Sequence, residues 1–119
     1  MNFLVVEDEY YARKALAQSV QHWQQSAVVD EAENGLAALD MLSRKSYDVA
    51  LLDIKMPRMN GLDLAERMQS VCPQTYKIMI TGYGEFEYAQ AAIRFNVSDY
   101  LLKPVDDDKL CDSLIRAQE

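Results

Sequence analysis

The chain of 119 residues lacks the features of several large classes of protein. Its two cysteines, Cys72 and Cys111, lie far apart and form no CxxC pair, which argues against a disulfide framework and favours a reducing compartment. No apolar run approaches the roughly 20 residues of a membrane span. No basic segment precedes a long apolar stretch at the N-terminus, as it would in a secretory signal. We therefore expect a cytoplasmic protein without a membrane partner.

Basic residues are also scarce, since 12 Lys and Arg stand against 19 Asp and Glu for a net charge of −7. Direct binding of nucleic acid needs a basic face to neutralise phosphates, so the charge balance argues against it. An acidic excess is compatible with a site that concentrates carboxylates around a divalent cation. The length and the hydrophobic fraction of 50% suit one soluble domain, 1–119, with a single core.

Segments typical of strands and helices alternate along the whole chain, without repeats or an internal linker. The apolar runs predict five strands, at 3–6, 27–30, 48–54, 77–81 and 99–102. Helices are predicted at 10–23, from Asn34-Gly35 onward, at 62–71, at 85–95, and after a cap at Asp106 or Asp107. Such a β-then-α alternation predicts an α/β fold with a doubly wound parallel sheet covered on both faces.

Polar side chains follow four of the predicted strands at the point where each strand ends. Glu7 and Asp8 follow the first strand, Asp53 ends the third, Thr81 the fourth, and Lys103 the fifth. Ligands of open α/β sheets bind at the carboxyl ends of the strands. With the strand order 2-1-3-4-5, we expect three carboxylates to converge beside one hydroxyl and one ammonium.

This set of groups suits magnesium-assisted phosphoryl chemistry. Three carboxylates cannot all stay ionised in one pocket without a cation, because each raises the pKa of the others. Mg²⁺ fits an oxygen-only site, since it keeps several waters and uses few carboxylates plus a phosphate. Asp53 could then attack phosphorus as a nucleophile, while Lys103 balances charge and Thr81 donates a hydrogen bond to a phosphoryl oxygen.

Each of these residues also has an ordinary structural explanation. Glu7 and Asp8 could simply cap the following helix, Thr81 could be a turn residue, and Lys103 could be a solvated strand end. Asp53 is harder to explain in this way, because an unpaired charge is costly at the end of an apolar central strand. The joint occurrence of all five at strand ends favours a site.

Four motifs cover essentially the whole chain: LVVEDE, DVALLDIKMPRMNGLDL, IMITGYGEFEYAQAA and VSDYLLKPVD. By these motifs the sequence resembles a CheY-like response regulator receiver domain. The resemblance implies a flavodoxin-like three-layer sandwich and a two-component phosphoacceptor, phosphorylated on Asp53 by a sensor histidine kinase. It also implies that the protein assists its own phosphorylation and dephosphorylation and is not a metabolic enzyme.

The resemblance further implies a ligand set for magnesium. Glu7 and Asp8 match the acidic pair that binds the ion together with Asp53, and Lys55 would contribute its backbone carbonyl. Glu7 stands where Asp is commoner in the family, and we expect its longer side chain to reach the ion through water.

The same resemblance implies a switch beside the phosphorylated residue. Thr81 matches the switch hydroxyl, Tyr100 the switch aromatic and Lys103 the lysine that contacts the phosphoryl group. Pro104 matches a proline that family members hold in the cis form. Phosphorylation is expected to draw Thr81 inward and to let Tyr100 turn from an exposed to a buried rotamer.

The segment TGYGEFEYAQAAIRFNVSDYLLKPVD is most similar to receivers of transcription regulators with an AraC-type helix-turn-helix output domain. We expect that output domain to be absent from this chain and DNA to be bound only through it. The alternative is a stand-alone receiver that acts through protein contacts. A homodimer through the fourth helix, fifth strand and fifth helix is a further expectation, with Arg94, Asp99 and Arg116 as exposed charges for the contact.

Two other functions share parts of this pattern. A flavodoxin-type FMN carrier has the same topology, but Glu7-Asp8-Glu9 would repel a phosphate where such a carrier binds one. A phosphatase of the haloacid-dehalogenase type uses a strand-end Asp with Thr, Lys and magnesium. It needs a general acid two residues after the nucleophile, where this chain has Lys55.

Overall fold

The computed structural model describes residues 1–82 and 97–119, in which five strands and four helices alternate. The strands are β1 Asn2–Val6, β2 Val28–Ala32, β3 Val49–Asp53, β4 Tyr76–Thr81 and β5 Asp99–Leu102. The helices are α1 Tyr10–Trp23, α2 Gly35–Arg44, α3 Gly61–Val71 and a C-terminal helix Asp107–Gln118. The helix predicted over 85–95 lies outside the described residues.

The five strands form one parallel sheet in the order β2-β1-β3-β4-β5, which confirms the predicted fold class. Most predicted strand ends are correct to within one residue, but the second strand runs to Ala32 rather than to Asp30. Glu31 and Ala32 continue the pairing with Val5 and Val6 of β1. The polar pair Asp30 and Glu31 hides the end of this strand in the sequence, because an edge strand tolerates polar residues that a central strand does not.

The core has two layers, one on each face of the sheet, because successive side chains of a strand point to opposite faces. One layer packs strand residues against α2 and α3, among them Leu4, Val6, Ala50 and Leu52. The other packs strand residues against α1 and the C-terminal helix, among them Phe3, Val5, Val49 and Leu51. Burying each large aliphatic side chain contributes about 1.5–3 kcal/mol, so β3, buried throughout, is a rigid platform.

Each described helix starts on a capped turn close to the carboxyl edge of the sheet. Glu9 caps α1, Asn34 caps α2, Asn60 caps α3 in a reciprocal capping box with Asp63, and Asp106 caps the C-terminal helix. A cap of this kind contributes about 0.5–2 kcal/mol, and it fixes where the connecting loop ends. None of the described helices combines the length and apolarity that crossing a membrane requires.

Candidate functional site

Three carboxylates meet at the carboxyl edge of the sheet, where β1 and β3 lie side by side. Glu7, Asp8 and Asp53 each place an oxygen within 4.8 Å of the others. Glu7 is 1% exposed and Asp53 is 3% exposed, whereas Asp8 faces solvent. The adjacency of β1 and β3 in the strand order produces this convergence, because both strands end at the same edge.

The ammonium group of Lys103 binds two of these carboxylates. Its Nζ lies 2.8 Å from Oδ1 of Asp53 and 3.3 Å from Oε1 of Glu7. Desolvation alone would lower the pKa of Lys103, but the hydrogen bond and charge of Asp53, together with those of Glu7, raise it above its usual value. Lys103 is therefore a permanent cation at neutral pH, held against the two buried acids.

The acidic pair is not a helix cap, because the neighbouring Glu9 has that role. The Glu9 carboxylate accepts hydrogen bonds from the backbone N–H groups of Tyr11 and Ala12 at the start of α1. The Glu7 carboxylate points to the site and accepts the N–H of Glu9 at 3.3 Å through Oε2. The interpretation of Glu7 and Asp8 as caps of the following helix is therefore wrong.

Oxygen donors with excess negative charge fit a hard divalent cation. Partial burial, followed by the hydrogen bond and the charge of Glu7, raises the pKa of Asp8 above its usual range. Burial is the largest cause of this shift, and the neighbouring Glu7 carboxylate adds to it; a bound cation would favour the ionised form of both groups. The donor chemistry of Glu7, Asp8 and Asp53 therefore suits Mg²⁺, which prefers carboxylate and water oxygens.

The remaining sequence-predicted residues lie around this cluster and not within it. The buried hydroxyl of Thr81 donates to the backbone carbonyl of Leu101 at 3.5 Å, on the neighbouring strand β5. Tyr100 is 50% exposed on β5, and Lys55 is exposed in the loop after β3. The Lys103–Pro104 peptide bond is cis, the form that the resemblance implies for Pro104.

Gly61 supports the site and was not identified from the sequence, where Asn60-Gly61 indicated only a loop. A Cβ atom at Gly61 would lie 2.4 Å from the backbone oxygen of Asp53. Its N–H donates to the carbonyl of Ile54 at 2.9 Å. Since backbone atoms cannot move aside as a flexible side chain can, only glycine fits behind the end of β3. The glycine after the loop was the available signal, but its contact with Asp53 depends on tertiary structure.

Two of the charges expected to form a contact between two copies of the chain, Asp99 and Arg116, are paired with each other within one chain. Asp99 accepts hydrogen bonds from Arg116 and from the hydroxyl of Ser113, both on the C-terminal helix. Burial opposes ionisation of Asp99, but Arg116 and then Ser113 outweigh it and lower the pKa of this carboxyl. Arg94, the third expected charge, lies outside the described residues.

Comparison with known proteins places nearly the whole chain in one family. The family model described as "Response regulator receiver domain" matches residues 3–115. The chain is 33% identical over 113 residues to "Uncharacterized transcriptional regulatory protein YesN" of Bacillus subtilis, a match that covers 93% of this chain and 30% of that protein. It is 31% identical over 119 residues to "Sensory transduction protein LytT" of Enterococcus faecalis, covering 100% of this chain and 48% of the relative.

Solved structures agree with this assignment. The receiver domain of AraT, a response regulator from Geobacillus stearothermophilus, is 38% identical with a TM-score of 0.87, and the match covers 98% of this chain and 92% of that one. The chain spans less than half the length of the first curated relatives that it matches, from 30% to 48%.

Proposed function

Because this chain belongs to the response regulator receiver domain family, we propose that it takes a phosphoryl group on Asp53 from a sensor histidine kinase. The observation that carries the proposal is the contact of Lys103 with both Asp53 and Glu7, at 2.8 and 3.3 Å. This contact brings together the candidate nucleophile Asp53, the candidate metal ligand Glu7 and the cation Lys103 at one edge of the sheet. Such a set suits phosphoryl transfer, in which positioning and charge do most of the work.

In the proposed reaction, the Asp53 carboxylate attacks the phosphorus of a phosphohistidine. A bond forms between the carboxylate oxygen and phosphorus, while the bond from phosphorus to the imidazole nitrogen breaks and that nitrogen keeps the electron pair. Lys103 remains beside the Asp53 side chain, and its positive charge balances the negative charge of the transferred phosphoryl group. The product is an aspartyl phosphate, which carries about two negative charges.

Magnesium would be held by Glu7, Asp8 and Asp53, with the backbone carbonyl of Lys55 as a further ligand. When bound, it would neutralise part of the charge on the incoming phosphoryl oxygens. The buried Glu7 already accepts two hydrogen bonds, from Lys103 and from the N–H of Glu9, which support a contact through water.

The phosphoryl group would then change the surface formed by β5 and the C-terminal helix. Thr81 would leave the carbonyl of Leu101 to bond the phosphoryl group, and Tyr100 would move inward. A shift from 1:99 to 99:1 needs about 5.5 kcal/mol of differential stabilisation. Each charge-assisted hydrogen bond supplies about 1.5–3 kcal/mol, so we expect a measurable active population without phosphate.

The output that we propose is control of transcription, through a DNA-binding domain of AraC type outside this chain. The printed description of YesN as a transcriptional regulatory protein supports it, as does the similarity to "a two component transcriptional regulator AraC" from Clostridium phytofermentans. A stand-alone receiver that acts through protein contacts remains the alternative, and a homodimer through the predicted fourth helix, β5 and the C-terminal helix would be compatible with either output.

The first prediction tests the phosphorylation site itself. Acetyl phosphate with Mg²⁺ should add one phosphoryl mass to the protein, and alkaline pH should remove it. Asp53→Asn should abolish this addition, because the amide is a poor nucleophile. Asp48→Asn is a matched control, since Asp48 lies just before the same strand at its opposite end, and it should label normally. Undiminished labelling of the Asp53 variant, read by intact-mass spectrometry, would contradict the assignment.

A further inference from the structure

Arg13, in the first turns of α1, connects three elements near the acidic site. Its Nη1 donates to the backbone carbonyl of Glu7 at 3.0 Å, and its Nε donates to Oε1 of Glu31 on β2 at 3.2 Å. Its guanidinium carbon lies 5.5 Å from the centre of the Tyr10 ring, and the side chain is only 12% exposed. Such a rigid, planar group can hold two acceptors in fixed directions at once.

The carbonyl that Arg13 binds belongs to the peptide unit joining Glu7 to Asp8. Because a peptide unit is planar, fixing its oxygen also fixes the directions in which the chain leaves toward both residues. The N–H of Glu7 donates to the carbonyl of Ala32 at 3.1 Å, so the preceding peptide unit is fixed as well. The orientation of the acidic pair therefore depends on two hydrogen bonds of Arg13, one to Glu31 on β2 and one to the Glu7 carbonyl.

Lys14 provides an internal comparison because it shares most of these surroundings. Its Nζ lies 3.0 Å from Oε2 of the same Glu31 and 5.4 Å from the centre of the same Tyr10 ring. Its side chain is 42% exposed, and the structure gives it no bond to the Glu7 carbonyl among the described contacts. Arg13 and Lys14 thus share their partners Glu31 and Tyr10 but differ in the bond to the Glu7 carbonyl and in burial.

We propose that Arg13 is a positioning residue for the acidic pair. Anchored by Glu31, it holds the peptide between Glu7 and Asp8 so that both carboxylates face one cation. This role rests on the proposed function, because the cation is the one that would accompany phosphorylation of Asp53. Outer groups that orient metal ligands commonly control affinity, and their loss costs about 10–100-fold in binding.

Electrostatics and positioning predict opposite results when Arg13 is neutralised. Removing a positive charge near a cation site should by itself strengthen the binding of Mg²⁺. Losing the bond to the Glu7 carbonyl should weaken it. A fall in affinity therefore identifies positioning, and Lys14→Gln removes the same charge without removing that bond.

The test is calorimetric titration of Mg²⁺ into the wild type, Arg13→Gln and Lys14→Gln. We expect about tenfold weaker binding for Arg13→Gln, and unchanged or tighter binding for Lys14→Gln. Arg13→Lys, which keeps the charge but cannot reach both acceptors, should also bind more weakly, while Lys14→Arg should not. Equal affinity of the wild type and both Arg13 variants would overturn the role of Arg13.

A second measurement needs no metal. Amide hydrogen exchange of the metal-free protein should be faster at Glu7 and Glu9 in Arg13→Gln than in Lys14→Gln, with the exchange of β3 unchanged. Unchanged exchange at these amides would also overturn the positioning role. If the wild-type protein takes up no Mg²⁺, both the proposed function and the role of Arg13 in binding are overturned. If the wild type binds Mg²⁺ and the Arg13 variants bind it equally well, only the role of Arg13 is overturned.

Discussion

The two edges of the sheet both carry ionisable side chains, but they treat the charges differently. At the carboxyl edge, Glu7, Asp8 and Asp53 lie within 4.8 Å of one another, and Glu7 and Asp53 share the ammonium of Lys103. The raised pKa of Asp8, caused by partial burial and by Glu7, shows that ionisation there is opposed. The negative charges of these three carboxylates would therefore be more stable if the groups were farther apart.

At the amino edge, by contrast, polar groups are matched with partners. Asp48 accepts the N–H of Asn2 at 2.7 Å, and the buried hydroxyl of Thr75 donates to the carbonyl of Tyr47 at 2.9 Å. The almost fully buried Lys77 donates to the carbonyl of Thr75 at 3.4 Å, and desolvation lowers its pKa, which favours the neutral amine. Charged groups here are paired with partners or, at Lys77, have a pKa shifted by burial and not by a neighbouring like charge.

This difference separates the part of the sheet that stabilises the fold from the part that we propose binds a ligand. Repulsion between carboxylates that costs stability in the free protein would become affinity when a cation arrives, and carboxylates with pKa values shifted in this way are typical of functional sites. Substitutions at the carboxyl edge should therefore change stability and cation binding together. Substitutions at the amino edge should change stability alone.

The largest effect is expected where the backbone of Asp53 is displaced. Gly61→Ala would place a methyl group 2.4 Å from the Asp53 oxygen and should destabilise the protein by about 2–3 kcal/mol. Gly35→Ala is the matched control, since it also follows an Asn at a helix start but meets first the flexible Met59 sulfur, at 2.7 Å. Urea unfolding should show a much smaller loss for Gly35→Ala, and equal losses would contradict the account.

A smaller effect is expected when the shared ammonium is removed. The raised pKa of Lys103 means that its stabilisation is complete below its unfolded pKa of about 10.4 and is lost only as pH rises through the higher folded value. Lys103→Met should therefore cost about 1–2 kcal/mol at neutral pH, less than the roughly 3–5 kcal/mol for breaking a fully buried pair. Mg²⁺ should restore more stability to this variant than to the wild type.

The control for this prediction is Lys45→Met. Lys45 has similar exposure, 40% against 38%, and pairs with Asp30 at 3.0 Å away from the acidic cluster. It should cost about 0–1 kcal/mol, as exposed ion pairs do. Denaturant titrations of both variants with and without Mg²⁺ give the comparison, and a Mg²⁺ response that is the same in both would contradict it.

Tyr47→Phe should affect stability without affecting the cation site. The Tyr47 hydroxyl donates to Oδ2 of Asp30 at 2.6 Å and is the main cause of the lowered pKa of Asp30. The stabilisation is therefore present above the unfolded pKa of about 3.9 and is lost as pH falls through the lower folded value. We expect a loss of about 1 kcal/mol at neutral pH that disappears in acid. Calorimetry should give wild-type Mg²⁺ affinity, and weaker binding would contradict the separation of the edges.

The sequence was sufficient to predict the features that follow from chain order. Five apolar runs and their polar ends predicted the parallel sheet, and parallel strands ending at one edge explain why Glu7, Asp8, Asp53 and Lys103 meet. These relations hold whatever the details of packing. The cap at Asp106 could be predicted in the same way, because capping depends on a few neighbouring residues.

Features that depend on contacts between distant elements could not be predicted. The bonds from Arg13 to Glu31 and to the Glu7 carbonyl require the register of β2 against α1. The pairing of Asp99 with Arg116 requires the position of the C-terminal helix on β5. Sequence periodicity indicates which face of an element is buried, but it does not give the distance between two side chains.

The most direct measurement of the central claim is the unfolding free energy of Asp8→Asn and the wild type, with and without Mg²⁺. Because Asp8 has a raised pKa in the folded protein, its ionisation lowers stability as pH rises through that value. Without Mg²⁺ at neutral pH, the variant should therefore be more stable than the wild type, and the gain should vanish below a pH of about 3.9. Mg²⁺ should stabilise the wild type strongly and the variant little. A variant that is less stable than the wild type without Mg²⁺, and equally stabilised by it, would contradict the claim that the crowded carboxylates destabilise the free protein and bind a cation.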